Sequence, residues 1–172
     1  MNRKHTIEEY LNVIEKVKKA KQNIEFSSDF IIGYPGETYD DFKKTIELMN
    51  SVKFINSYSF IYSARPGTPA FNLSYLNDDD AKKRLMDFQK TAEKIKTAYR
   101  SNLIDKISTV LFENKTKGEN KYFGRDEYFN SVIVKSEKNL IGKIKNVKIL
   151  EINQNTLFGE VIYNFNQKIR AA

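Results

Sequence analysis

Gly33, Pro35 and Gly36, followed at once by Glu37 and Thr38, have the types and spacing to hold a ligand against the main chain. Pro35 lacks an N–H and fixes its own φ. Gly33 and Gly36 carry no Cβ and let a planar or phosphorylated ligand approach the backbone closely. Ahead of them Phe30-Ile31-Ile32 reads as a core strand, and Thr38-Tyr39-Asp40-Asp41 after them has the spacing of a capping box that opens a helix. The turn then sits at the C-terminal end of the strand, where α/β folds bind cofactors and substrates. The same spacing also fits a connection and nothing more. A second chemically capable set is cationic: Lys121, Arg125, Lys143 and Lys145, interleaved with Tyr122, Phe123, Tyr128 and Phe129. Phosphate contact by Lys and Arg together with stacking on aromatics is the usual chemistry of an RNA surface. Its alternatives are a solvated basic face and aromatics that belong to a core.

Two kinds of element must position these residues. Up to about residue 103 helix and strand alternate. Thr6-Ile7-Glu8-Glu9 is a capping box, and Ile7, Leu11, Ile14 and Val17 fall on one helical face. Ile24 to Ile32 reads as a strand, a helix with Phe42, Ile46 and Met49 as its apolar stripe follows from Thr38, and Tyr58 to Tyr62 reads as the next strand. This order implies parallel pairing. The loop Ser63-Ala64-Arg65-Pro66-Gly67-Thr68-Pro69-Ala70 is therefore expected on the same side as the Gly33 to Gly36 turn. A long helix is predicted after Asn77, with Ala81, Leu85, Phe88, Ala92, Ile95 and Tyr99 as its seam.

After Leu103 the period changes. Thr109 to Phe112, Tyr122 to Arg125, Ser131 to Val134, Lys143 to Ile152 and Leu157 to Ile162 read as short strands, which predicts a small five-stranded barrel. In the fourth strand Val147, Ile149 and Ile152 are expected to face inward and Lys143, Lys145 and Lys148 to lie on the other side. Residues 104–172 hold 12 Lys and Arg against 8 Asp and Glu, and the whole chain has a formal net charge of +7, which favours an acidic partner such as RNA. No apolar run approaches the roughly 20 residues that span a bilayer, and the N-terminus lacks the apolar segment of a signal peptide, so the expected location is cytoplasmic with no membrane partner. The absence of cysteine excludes disulfides, zinc thiolate sites and any iron–sulfur cluster held by thiolates of this chain.

Three segments in this order and spacing carry a resemblance: Met1-Asn2-Arg3-Lys4-His5-Thr6, then Ser28 to Thr38, then Tyr62 to Ala70. They resemble the C-terminal part of the radical S-adenosylmethionine domain of the methylthiotransferases, a partial TIM-like α/β barrel. Gly124-Arg125, Ile141-Gly142-Lys143 and Leu157-Phe158-Gly159-Glu160 resemble the TRAM domain that closes those enzymes. The implied division is 1–103 for the end of the radical domain and 104–172 for the all-β, RNA-binding barrel. Arg65-Pro66-Gly67-Thr68-Pro69 and the Met-Asn-Arg opening look most like the branch that acts on N6-isopentenyladenosine beside the tRNA anticodon. The branch that modifies a ribosomal protein usually has an acidic residue where Arg65 stands.

The resemblance implies addition of a methylthio group to C2 of the adenine, using S-adenosylmethionine and two 4Fe–4S clusters. In that family one cluster is held by a CxxxCxxC motif and the other by three cysteines of a separate N-terminal domain, and this chain has none of them. The expectation is thus a C-terminal portion that does not catalyse alone and that a missing N-terminal segment would complement. At matching positions, the main chain of Gly33, Pro35 and Gly36 is expected against the S-adenosylmethionine adenine or ribose. Arg3 and Arg65, read as lying at strand ends, are suited to hold a carboxylate or phosphate. Lys121, Arg125, Lys143 and Lys145 are expected on the backbone of a tRNA anticodon stem-loop. His5, the one histidine, reads as a capping or packing residue, and Glu37 as a helix N-terminal charge. Cutting such a barrel leaves a strand edge unpaired and removes an opposing wall, so residues 1–103 are expected to be marginal and aggregation-prone. Two other readings stay open: a free-standing RNA-binding module without chemistry, and a branch acting on threonylcarbamoyladenosine or on a ribosomal protein.

Overall fold

The computed structural model describes residues 3–163 and divides the chain into two compact units, Met1–Lys96 and Thr97–Ala172. The first unit holds α1 (Ile7–Ala20), β1 (Ser27–Ile32), α2 (Tyr39–Val52), β2 (Asn56–Ile61), a 3-10 turn (Pro69–Asn72) and most of α3 (Asp78–Ser101). Thr6 opens α1 and Thr38 opens α2, each through a reciprocal capping box with Glu9 and Asp41. Asn77 opens α3 by accepting the Asp80 N–H at 2.8 Å. β1 begins at Ser27, three residues later than the apolar run suggests, because Ile24 closes a turn after α1 through its N–H to the Lys21 carbonyl. β2 begins two residues earlier than Tyr58 and stops at Ile61, although the Tyr62 N–H still reaches the Ile32 carbonyl at 2.8 Å.

β1 and β2 pair in parallel from Ser27 opposite Asn56 to Ile32 opposite Ile61. The crossover through α2 is what a parallel pair requires. Ile32 packs with Phe42, Met49 and Phe88 on the helix side, joined by Phe30, Ile46, Leu85, Ala92 and Ile95, so the seam read along α3 lies in the core. Val52, Phe54 and Ile14 form a neighbouring cluster. On the opposite face of the sheet Ile31 is exposed, and its register partner Phe60 is 58% exposed.

The second unit contains β3 (Ile107–Lys115), β4 (Lys121–Asp126), β5 (Ser131–Lys135), β6 (Ile144–Ile152) and β7 (Thr156–Val161), closed into a barrel in the order β3-β4-β5-β7-β6. Alternation puts Val110, Phe112, Tyr122, Val132, Val134, Val147, Ile149 and Leu157 inside. Closure is achieved twice by the same device. Register shifts after Phe112 in β3 and after Ile149 in β6, and the residues opposite those two positions are Gly124 and Gly159. A Cβ on Gly124 would overlap the Leu111 carbonyl and lie 2.8 Å from Val110 Cγ1; on Gly159 it would overlap the Lys148 carbonyl and lie 2.7 Å from Val147 Cγ1. The shift in β6 also brings Ile152 back to the core side. No helix among the described residues is long and apolar enough to cross a membrane.

The facing expected of the β6 lysines does not hold, and one of the aromatics beside the basic set takes its core alternative. Lys143 and Lys145 share the parity of Val147 and Ile149 rather than lying across from them, with Lys145 half-buried at the barrel end; only Lys148 is on the other side, where it pairs with Asp105 at 3.1 Å. Tyr122 is core, 2% exposed.

Gly124→Ala and Gly159→Ala are each expected to lower barrel stability by about 1–3 kcal/mol, the usual cost of overpacking, read as a shift in denaturant midpoint. The Thr38 hydroxyl, and then its N–H, hold the Asp41 carboxyl below its ordinary value of 3.8. The support this gives α2 is complete above that value and is lost as pH falls through the lowered one. Asp41→Asn should remove that part of the acid transition in a pH series of unfolding curves.

Candidate functional site

After β1 the chain turns through Tyr34-Pro35-Gly36-Glu37. The Glu37 N–H donates to the Tyr34 carbonyl at 2.8 Å, Pro35 stands second and Gly36 third with φ +83°, which is a type II turn. Gly33 ahead of it is also left-handed, at φ +73°, and a Cβ there would lie 3.4 Å from the Ala81 Cβ, so α3 closes over this glycine. At Gly36 a Cβ would meet nothing within 4 Å. Pro35 is buried. Of the three residues singled out in the sequence, Gly36 is thus the one whose main chain is open to an incoming group.

Glu37 fixes this turn. Its Oε2 accepts the Gly33 N–H at 3.0 Å, and its Oε1 accepts from Arg84 Nη1 at 2.6 Å. The same Arg84 nitrogen donates to the Glu37 and Thr38 carbonyls at 3.1 and 3.2 Å, and both charged side chains are 12% exposed. Glu37 is therefore a tie between strand, turn and α3 more than a charge on a helix end. Arg84 was not found from the sequence; its one signal there is a charge on the α3 seam, three residues after Ala81 and four before Phe88.

The loop after β2 repeats the device. Arg65-Pro66-Gly67-Thr68 closes with the Thr68 N–H on the Arg65 carbonyl at 3.3 Å, Gly67 has φ +82°, and the Thr68 hydroxyl donates to the same carbonyl at 2.8 Å. Both Pro-Gly turns follow the C-terminal ends of parallel strands, and the Arg65 side chain is exposed. Tyr34 and Tyr62, one after each strand, meet edge to face at 5.1 Å, and Tyr75 stacks on Tyr62 at 6.0 Å. Arg3 is exposed and precedes α1, and no strand among the described residues leads to it. His5 Nδ1 lies 2.9 Å from the Arg3 carbonyl and its ring stacks on Tyr10, while the capping is done by Thr6. A cavity of about 310 Å³ beside it is lined by His5, Tyr10, Ser28, Phe30 and Phe54 among others.

On the barrel, Lys121, Phe123 and Arg125 alternate along the outer face of β4. The Arg125 guanidinium lies 5.4 Å from the Phe123 ring centroid, and its Nε is 3.5 Å from Glu113 Oε1. Lys143 is exposed in the turn before β6, and Lys145 stands opposite Val110, so these two are not on the row of Lys121 and Arg125. Phe129 is 75% exposed at the β4–β5 turn. The turn is anchored by buried Asp126, whose Oδ1 accepts the Tyr128 and Asn130 N–H groups at 2.9 and 2.8 Å.

Comparison with known proteins agrees with this division. Residues 1–49 match the Radical SAM superfamily and residues 105–162 match the TRAM domain. The chain is 51% identical over 169 residues to a tRNA-2-methylthio-N(6)-dimethylallyladenosine synthase of Pelagibacter ubique (strain HTCC1062), covering 98% of this chain and 38% of the relative. Proteins of the same name from Wolbachia pipientis wMel and Ehrlichia canis (strain Jake) are 43% and 40% identical over 92% and 94% of the chain, which covers 37% of each. The chain thus carries a radical SAM segment followed by a TRAM domain, and spans little more than a third of the length of these relatives.

Removing Arg84 as Arg84→Ala leaves the Glu37 carboxylate enclosed without its cation. The expected cost to the first unit is about 3–5 kcal/mol in chemical denaturation, with the barrel transition unmoved. The double variant Glu37→Gln/Arg84→Met should lose less than the sum of its single changes.

Proposed function

We propose that this chain supplies one wall of the S-adenosylmethionine site and the tRNA-binding barrel of a radical methylthiotransferase that modifies C2 of N6-isopentenyladenosine beside the anticodon. The observation that carries it is the similarity along 98% of the chain to a synthase of that product, with the Pro-Gly turns and the TRAM barrel inside the aligned region.

In this reading residues 1–103 form the cofactor wall. The open main chain at Gly36 lies against the adenine or ribose of S-adenosylmethionine, with Gly33 and Pro35 holding its curvature. Arg3 and Arg65 offer guanidinium groups to the carboxylate of the cofactor or to a phosphate of the RNA. The iron–sulfur clusters that radical chemistry calls for do not fit these residues: there is no cysteine, and among the described residues no group of three His, Asp or Glu converges on one point. Thiolates must come from outside these 172 residues, and no catalytic step is assigned to a side chain of this sequence. What the chain contributes is positioning, which in an enzyme is a large part of the barrier.

Residues 104–172 carry the substrate. Lys121 and Arg125, with Lys143 and Lys145 at the barrel end, meet phosphates of the anticodon stem-loop. The location that goes with this work is the cytoplasm, where tRNA is modified. The lack of any thiolate favours a second reading, an RNA-binding module without chemistry, which differs in needing no S-adenosylmethionine or isopentenyl group.

The test is binding of the chain to an anticodon stem-loop, with and without the isopentenyl group, across a salt series. Affinity is expected to fall linearly with log salt, with a slope of about 0.7–0.9 per phosphate neutralised. A preference for the isopentenyl form supports the enzyme reading, equal binding supports the module, and no binding at low salt overturns both.

A further inference from the structure

Lys121 in β4 stands directly opposite Lys135 in β5. Like charges in register on neighbouring strands repel, and folded sheets ordinarily separate them or interpose an acid. The nearest acid by register is Glu160, one position past the Val134–Gly159 pair on β7, and it stands opposite Lys148 of β6. Among the described residues neither ammonium group belongs to an ion pair. Of the nearby acids, Glu137 accepts from the Asn120 amide at 3.0 Å and Glu119 is exposed on the β3–β4 turn. Edge lysines often protect a sheet from pairing with another chain. That explanation is not available, because the barrel is closed and both strands are paired on either side.

The pair is also supported from below. Gly118, at φ +108°, leaves room for the aliphatic stem of Lys121: a Cβ there would lie 3.1 Å from its Cδ. Two residues along the same outer face comes an apolar row across three strands, Phe123 opposite Ile133 and Ile133 opposite Phe158, each half-buried. A further two along comes a polar row, Arg125 opposite Ser131 and Ser131 opposite Thr156. Rows two residues apart are about 7 Å from one another. An anion with flat apolar groups attached to it at that scale is a nucleic-acid strand.

Resting on the RNA-binding reading above, we propose that Lys121 and Lys135 are a two-lysine grip for one backbone phosphate, aligned so that the Phe123–Ile133–Phe158 row meets the adjoining base. Lys135 is the new member. The grip explains why the repulsion is retained: bound phosphate turns it into attraction.

The experiment uses the 172-residue chain, an anticodon stem-loop as probe, and a salt series read by fluorescence anisotropy, alongside thermal melting. Lys135→Glu faces Lys121 with an opposite charge and Lys135→Met removes the charge alone; Lys16→Glu, on the exposed face of α1, is the control for net charge. Both Lys135 variants are expected to bind several-fold more weakly, and Lys135→Glu, which also neutralises Lys121, to reduce the salt slope by about 0.7–0.9. Lys135→Glu should melt at or above the temperature of the unaltered chain, while Lys16→Glu keeps the slope. If the unaltered chain binds and both Lys135 variants keep its affinity and slope, the grip is wrong and the RNA-binding reading stands. If the unaltered chain does not bind, both fall. Binding of polyglutamate with the same dependence on Lys135 would overturn the assignment to RNA in favour of an acidic peptide.

Discussion

Both oxygens of the Glu37 carboxylate are engaged inside the protein, one by the Gly33 N–H and one by Arg84. Everything useful about the first unit follows from that arrangement. Gly33 must be left-handed for its N–H to turn toward Glu37, and α3 must pass close enough for Ala81 to touch Gly33 and Arg84 to reach the carboxylate. A pair this enclosed gains little net stability over an apolar replacement, because each charge has lost its water. Its effect is geometric. The type II turn is held shut from the protein side, leaving Gly36 to face outward with space in front of it.

In the second unit the comparable constraint is steric. Two strands pass so close to their neighbours that only glycine fits, and at both places the partner strand shifts register. Sharp coiling at two corners lets five short strands close without an edge. Closure fills the inside with Val, Ile, Leu and Phe and frees the outer faces from any duty to shield unpaired backbone. The charges on β4 and β5 are then available for a partner. This is the physical basis on which the barrel is proposed as the part that holds RNA and the Pro-Gly turns as the part that meets the cofactor.

Much of this was legible in the chain. Capping boxes at Thr6 and Thr38, the Asn77 cap and the α3 seam depend on residues within a few positions of one another, and local chemistry determines them. Strand existence in the barrel followed from alternation, and the Gly-Pro-Gly turn from its residue types. What escaped depends on distance. Arg84 joins Glu37 across 47 positions, and nothing near either residue announces the other. The facing of Lys143 and Lys145 was legible, since simple alternation from Val147 and Ile149 already puts both on the inward parity, whereas the return of Ile152 to that side was not, because it depends on the register shift after Ile149. Lys135 was passed over although it and Lys121 are equally far from Tyr128; register becomes readable only once the centre of the hairpin is known.

The most direct measurement is an NMR titration of the 15N-labelled chain with an anticodon stem-loop, following backbone amides. The account predicts that shifts concentrate on β4 and β5, at Lys121, Phe123, Arg125, Ile133 and Lys135, while the amides from Gly33 to Thr38 stay in place because the turn is already formed. Shifts confined to the first unit, or spread evenly over every exposed lysine, would contradict it.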